Sequence, residues 1–181
     1  SDGFTAVFDY CRAMNVYSSF FVCGNATKQI EVMCKTNPDS ISIDENVNLA
    51  LAKETTDKYN ITIGGNIPLT TTMLFGTQED NMKAVIDLID SVSDKRNFIL
   101  SPGCDMPYDT PIENTVACAQ AVKHPDSTRE MIKNYETVID DSAIEIPDYK
   151  NLDKVLIELF LIDPEQCAAC TYMEASVVDI Y

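Results

Sequence analysis

From the first residue to about Arg96, short runs of β-branched and aromatic residues alternate with longer stretches whose apolar positions recur every three or four residues. That alternation of strand-like and helix-like periods is the signature of repeated β-α units. It predicts four strands, at Ser18 to Cys23, Ser40 to Asp44, Asn60 to Gly64 and Asn97 to Ser101. The clearest helix is expected over Gln78 to Val92, where Met82, Val85, Ile86, Ile89 and Val92 share one face. Thr77 stands before it as an N-cap, and Asp80 is positioned to complete a capping box. Strands joined in this way form a parallel sheet that must be covered on both faces. Four of them cannot close a barrel whose usual form has about eight strands.

Beyond the fourth strand, helical text is expected from Ile112 to Val122 and from Ser127 to about Val138. Residues 140–152 form an acidic, proline-containing stretch without a sustained period and are expected to be a linker. The run from Lys154 to Ile162 is expected to be a buried strand, with Asp163 to Gln166 as a turn and a helix opening at Cys167. The predicted organisation is therefore a barrel-like segment over residues 1–139, a linker over 140–152 and a second β-α unit over 153–181.

Composition narrows the possibilities. With 181 residues of which 45% are hydrophobic, the chain can bury a substantial core. A formal net charge of -16 repels polyanions and anionic lipid surfaces, so neither nucleic acid nor membrane is an expected partner. No apolar run approaches the ~20 residues of a membrane helix, and the start Ser1-Asp2-Gly3 shows no secretory signal. Seven cysteines, an odd number, do not form the dense even framework of a secreted scaffold, which points to a reducing, cytoplasmic setting.

Functional groups in parallel β-α proteins collect at the carboxyl ends of the strands, where Cys23, Asp44, Asn66 and Cys104 fall. Two thiols at one rim could share a zinc ion, or each could be a small core residue. Asn25 and Asn66 could hydrogen-bond a ligand or cap local turns. Glu113 stands at a helix start, where a carboxylate is favoured structurally. His124 is expected at a helix end, and Cys11, Cys34 and Cys118 in or near the core. Cys167-Ala168-Ala169-Cys170 after a hydrophobic run is expected to be a redox pair, with Cys167 attacking and Cys170 resolving, the alternatives being half of a zinc knuckle or an inert pair.

The segments Phe21-Val22-Cys23-Gly24-Asn25, Ser42-Ile43-Asp44, Gly65-Asn66-Ile67-Pro68 and Phe98 to Cys104, followed by Thr110 to Asn114, resemble in order and spacing the C-terminal half of the uroporphyrinogen decarboxylase and methylcobamide:coenzyme M methyltransferase superfamily. The resemblance covers residues 1 to about 135 and implies an α/β fold, the C-terminal half of a (β/α)₈ TIM barrel, here joined to a partial thioredoxin-like β-α unit. It also implies an N-terminal half-barrel as a missing partner. Gly103-Cys104 matches the methyltransferase branch, where decarboxylases tend to carry Gly-His-Gly. That branch passes a methyl group between a methylcobamide, carried by a corrinoid protein, and a thiol or other acceptor. The resemblance implies Cys23 and Cys104 as zinc ligands and Asn25, Asp44 and Asn66 as cofactor-binding residues, while Phe21 occupies the position of the family's histidine ligand. Asp44 or Asp105 could substitute for it. Decarboxylation, a non-catalytic corrinoid-protein-binding or thiol-redox relay role, and a homo-oligomer are the remaining expectations.

Overall fold

The computed structural model describes residues 2–137, 148–159 and 177. The chain divides into two compact units, Ser1–Tyr135 and Glu136–Tyr181.

In the first unit α1 (Asp2–Ala13) leads into β1 (Ser19–Val22), α2 (Ile30–Lys35), β2 (Ser40–Ile43), α3 (Leu49–Lys58) and β3 (Thr62–Ile67). A π-helical turn, Leu69–Leu74, then precedes α4 (Gln78–Ser91), β4 (Phe98–Pro102), α5 (Ile112–Lys123) and α6 (Pro125–Ile132). The strands pair in sequence order, β1-β2-β3-β4, and every pairing is parallel. The α/β class and the four expected strands are as the periodicity indicates. β3 differs in extent, running on to Ile67 through Gly64 and Gly65. The helix expected from Ser127 begins at Pro125, whose fixed φ suits a first helical position.

Sequence-local chemistry explains several boundaries. Thr77 accepts from the Asp80 amide and the Asp80 carboxylate accepts from the Thr77 amide, completing the capping box of α4. Asn48 caps α3 by accepting from the Leu51 amide. At the amino ends of the strands, Asn37, Asn60 and Asn97 adopt left-handed conformations with φ of 60°, 55° and 52°, which asparagine tolerates better than other residues bearing a Cβ. There the Ser18 amide and hydroxyl both donate to Asp39 Oδ2 at 2.8 Å, and the Asp39 amide donates back to Ser18 Oγ at 3.1 Å.

The two faces of the sheet are unlike. On one, Ile41, Ile43 and Ile63 pack with Ile30, Met33, Leu49 and Ala52 of the helices and the α3–β3 turn residue Ile61. Phe20 joins this side through ring contacts with Phe4 at 4.8 Å and Phe8 at 5.6 Å. A second cluster joins Val85 and Ile86 of α4 to Ala117, Cys118 and Ala121 of α5. The opposite face carries the row Phe21, Ser42, Gly64 and Ile99, aligned by the strand register. Phe21 is 42% and Ile99 55% exposed.

The second unit corrects one expectation. Residues 154–159 of the supposed buried strand carry no strand structure, and Val155, Leu156 and Ile157 are exposed. An apolar run becomes a strand only where a neighbouring edge pairs its backbone, and nothing in its own composition supplies one. Locally, Asp148 accepts from the Lys150 amide and the Asn151 side chain, and Tyr149 donates to Glu158 at 2.7 Å. Cys167, Cys170 and most of the expected 140–152 linker lie outside the described residues.

Candidate functional site

Cys23 directly follows β1, and Cys104 lies two residues beyond β4. Those strands are the two edges of the sheet, so something must carry one thiol toward the other. The carrier is the turn after β4. The Gly103 amide donates to the Ile67 carbonyl at the end of β3 at 2.9 Å. Its α-carbon presses against the chain just beyond β2: a Cβ there would stand 2.8 Å from the Glu45 nitrogen. Only glycine permits that approach. The turn thereby straps across the ends of β3 and β2 and brings Cys104 Sγ to 2.8 Å from Cys23 Sγ. On the other side Gly24, with φ of +79°, turns the chain immediately after Cys23.

The thiols are accessible, Cys23 being exposed and Cys104 half-buried. The hydrogen bond with Cys104 is the largest influence on Cys23. Partial desolvation and the electrostatic influence of Cys104, Asp44 and Asp105 add to it, pushing the Cys23 thiol up to about 11. The proton stays on Cys23 chiefly because its hydrogen bond with Cys104 favours the protonated form, with the nearby carboxylates disfavouring a further negative charge.

Asp44 is buried beneath this rim. Burial opposes its ionisation, but the backbone amides of Asn46 and Gly24 and the Asn46 side chain donate to it, holding the carboxyl below the usual carboxylate range. Asn66 is also buried, and its Nδ2 braces the loop after β2 by donating to the Asp44 and Val47 carbonyls at 3.0 and 2.7 Å. Its Oδ1 has no hydrogen-bond partner among the described residues. Asn66 lines a cleft of about 400 Å³ together with Glu45, Val47, Asn48, Pro68 and Leu88. Asn25 is occupied locally, accepting from the Thr27 amide and hydroxyl.

The structure thus brings together Cys23 and Cys104, with Asp44 and Asp105 close enough to act on them electrostatically. Phe21 lies on the open face of β1, two residues before Cys23. His124 joins α5 to α6, where its carbonyl accepts from the Thr128 amide and hydroxyl. Cys34 and Cys118 are buried and Cys11 half-buried. No group of three or more His, Cys, Asp or Glu side chains suited to one metal ion occurs among the described residues. Two roles were not read from the sequence: Gly103, which entered there only as part of the Gly103-Cys104 pair, forms the strap, and Glu45 lies beneath it.

Comparison with known proteins places this geometry in a family. The profile described as Uroporphyrinogen decarboxylase (URO-D) matches residues 4–125. The methylcobamide:CoM methyltransferase MtbA of Methanosarcina acetivorans is 30% identical over 121 residues, covering 65% of this chain and 34% of that protein. Its namesake from Methanosarcina mazei is 27% identical over the same length, with the same coverage. A solved methyltransferase from Methanosarcina mazei superposes with a TM-score of 0.58 at 20% identity, covering 67% of this chain and 35% of that one. The fold is therefore that of a barrel fragment, and the chain spans about a third of the length of the curated relatives it matches.

Proposed function

The chain belongs to the uroporphyrinogen decarboxylase family, and on that premise we propose that it is part of an enzyme that moves a methyl group between a corrinoid protein and a thiol acceptor. The carrying observation is the Cys23–Cys104 contact at the carboxyl rim, with Cys104 directly after Gly103. The named activity of the methyltransferase relatives supports the same branch. In this reading the open sheet face that carries Phe21 and Ile99 is covered by the other half of a barrel, since a parallel sheet needs both faces buried. A methylcobamide presented by the corrinoid protein would be the methyl donor: the carbon–sulfur bond would form as the methyl–cobalt bond breaks, the electron pair staying on cobalt and the acceptor thiol's proton passing to solvent. The chain's own part is positional. Asp44 and Asn66 hold the loop after β2, and the strap at Gly103 fixes where the thiols meet.

A zinc ion held as the resemblance implies does not fit the residues present. A catalytic zinc site uses three protein ligands. Here the third position carries the phenyl ring of Phe21, and the described residues offer no three-donor group. We route no step through the metal. The same phenyl ring favours a second reading, a non-catalytic module that binds a corrinoid protein.

Methylcobalamin and 2-mercaptoethanesulfonate, incubated with the chain, separate the two. Formation of the methyl thioether above the protein-free rate, lost in Cys104→Ala, supports transfer. Retention of a corrinoid protein on the immobilised chain without any thioether supports binding alone. The odd thiol count supports a reducing compartment, and we propose Cys167 and Cys170 as a separate redox pair, to be tested by comparing their alkylation in single-cysteine variants.

A further inference from the structure

Two thiols that meet at an accessible rim without a third metal donor have another chemistry open to them. We infer that Cys23 and Cys104 form a reversible dithiol–disulfide couple that ties the turn after β4 to the end of β1. This inference does not rest on methyl transfer and holds for either reading above.

The geometry carries it. The sulfurs are 2.8 Å apart, so reaching the ~2.05 Å of a disulfide takes less than an ångström of movement. Both belong to turns rather than to strand interiors, Cys23 before Gly24 and Cys104 after Gly103, so small backbone rotations can supply that movement without disturbing the strand pairing. Cys23 is exposed, which gives an oxidant a path to it. Cys34 and Cys118 are buried and lack that path.

The oxidant is a low-molecular-weight disulfide. One cysteine, as its thiolate, attacks a sulfur of the small disulfide and expels one small thiolate, leaving a mixed disulfide on the protein. The second cysteine gives its proton to solvent and attacks the protein-side sulfur, expelling the other small thiolate. Two protein thiols are oxidised, one small disulfide is reduced to two thiols, and the protons balance through solvent. Excess dithiol reverses both steps.

The test uses the full chain, both unmodified and with Cys167→Ala and Cys170→Ala, so that the second pair cannot contribute. Each is incubated with excess oxidised glutathione, alkylated under denaturing conditions, digested without reductant and mapped by mass spectrometry, with bound zinc measured on the starting material. The expected result is a loss of two thiols per chain in the double variant, a linked Cys23–Cys104 peptide in both proteins, and full recovery with dithiothreitol. Cys104→Ala should lose at most one thiol, as a glutathione adduct at Cys23. The unmodified chain keeps the test valid if the double variant folds poorly, because the linked peptide is identified by its mass. The inference is overturned if both thiols stay free, or if Cys23 links indiscriminately to Cys11, Cys34 and Cys118. It is equally overturned if the chain holds one zinc per molecule that protects both thiols until a chelator removes it.

Discussion

At the amino ends of the strands Ser18 and Asp39 are locked together by three hydrogen bonds, whereas at the carboxyl ends Cys23 and Cys104 touch each other in reach of solvent and Asn66 Oδ1 lacks a partner among the described residues. Both rims are built from short polar side chains following regular elements. The difference lies in what those side chains hold. Asp39 is held below the usual carboxylate range chiefly by the Ser18 amide and then by the Ser18 hydroxyl, so its charge is used to pin β1 to the start of β2. Cys23 is pushed the other way by its neighbours. One rim uses its polar groups for cohesion, and the other is the one to which the proposed function assigns chemistry, the division expected of a parallel β-α fold.

Oxidation should give the largest change, because it adds cohesion to the reactive rim. A bond between residues 81 apart in sequence removes enough loop-closure entropy from the unfolded chain to stabilise the fold by about 4–5 kcal/mol. Urea unfolding of oxidised and reduced protein reads this directly. A gain below about 1 kcal/mol would mean that closing the bond strains the turn after β4 enough to offset the entropy term. Next is reactivity. A thiol raised from its ordinary 9.0 to about 11 carries about a hundredfold less thiolate at pH 8 than a free cysteine, so iodoacetamide should modify Cys23 about that much more slowly. The rate should climb with pH toward 11, and Cys104→Ala, which removes the largest cause of the shift, should bring the midpoint down. A midpoint near 9 in the unmodified protein would remove the electrostatic contrast between the rims.

Asp39→Ala should cost about 2 kcal/mol by leaving the buried Ser18 groups without their acceptor, while the alkylation rate of Cys23 stays unchanged. Because the folded state lowers the Asp39 pKa, its contribution is present above the unfolded value of 3.8 and fades as the pH falls below it. The stability difference between variant and parent should therefore shrink in acid. Gly103→Ala is expected to cost less, about 1 kcal/mol, because the turn is free to back away from Glu45. That retreat should lower the yield of the Cys23–Cys104 link several-fold. An unchanged yield would mean that the approach at Gly103 is not what delivers Cys104.

What the sequence disclosed follows from the range of the forces involved. The start of α4 was legible because Thr77 and Asp80 cap it from three residues apart, and the strands because Ile41, Ile43 and Ile63 carry the period of a half-buried sheet. The end of β3 was not. Gly64 and Gly65 lack the side chains on which strand propensity is read, and they pair through backbone alone. The run after Lys154 misled for the opposite reason, having strand-forming side chains without strand pairing over residues 154–159. At the rim, resemblance and topology pointed to Cys23 and Cys104 together, but neither indicated the strap. Its cause is a backbone approach between Gly103 and Glu45, which no local pattern of polarity encodes.

The strap also bears on the order in which the molecule assembles. β1 to β4 dock as neighbours in sequence order, each pairing closing a comparatively short loop, whereas the two sulfurs meet across a separation of 81 residues. Loop-closure entropy makes so distant a contact unfavourable until the intervening strands have shortened the effective path. The Cys23–Cys104 contact therefore belongs to the late stages of folding, after β2 and β3 have taken their places. Pulsed alkylation during refolding would see Cys23 react as an ordinary cysteine until the sheet is complete, making its slowed reaction a clock for the final closure.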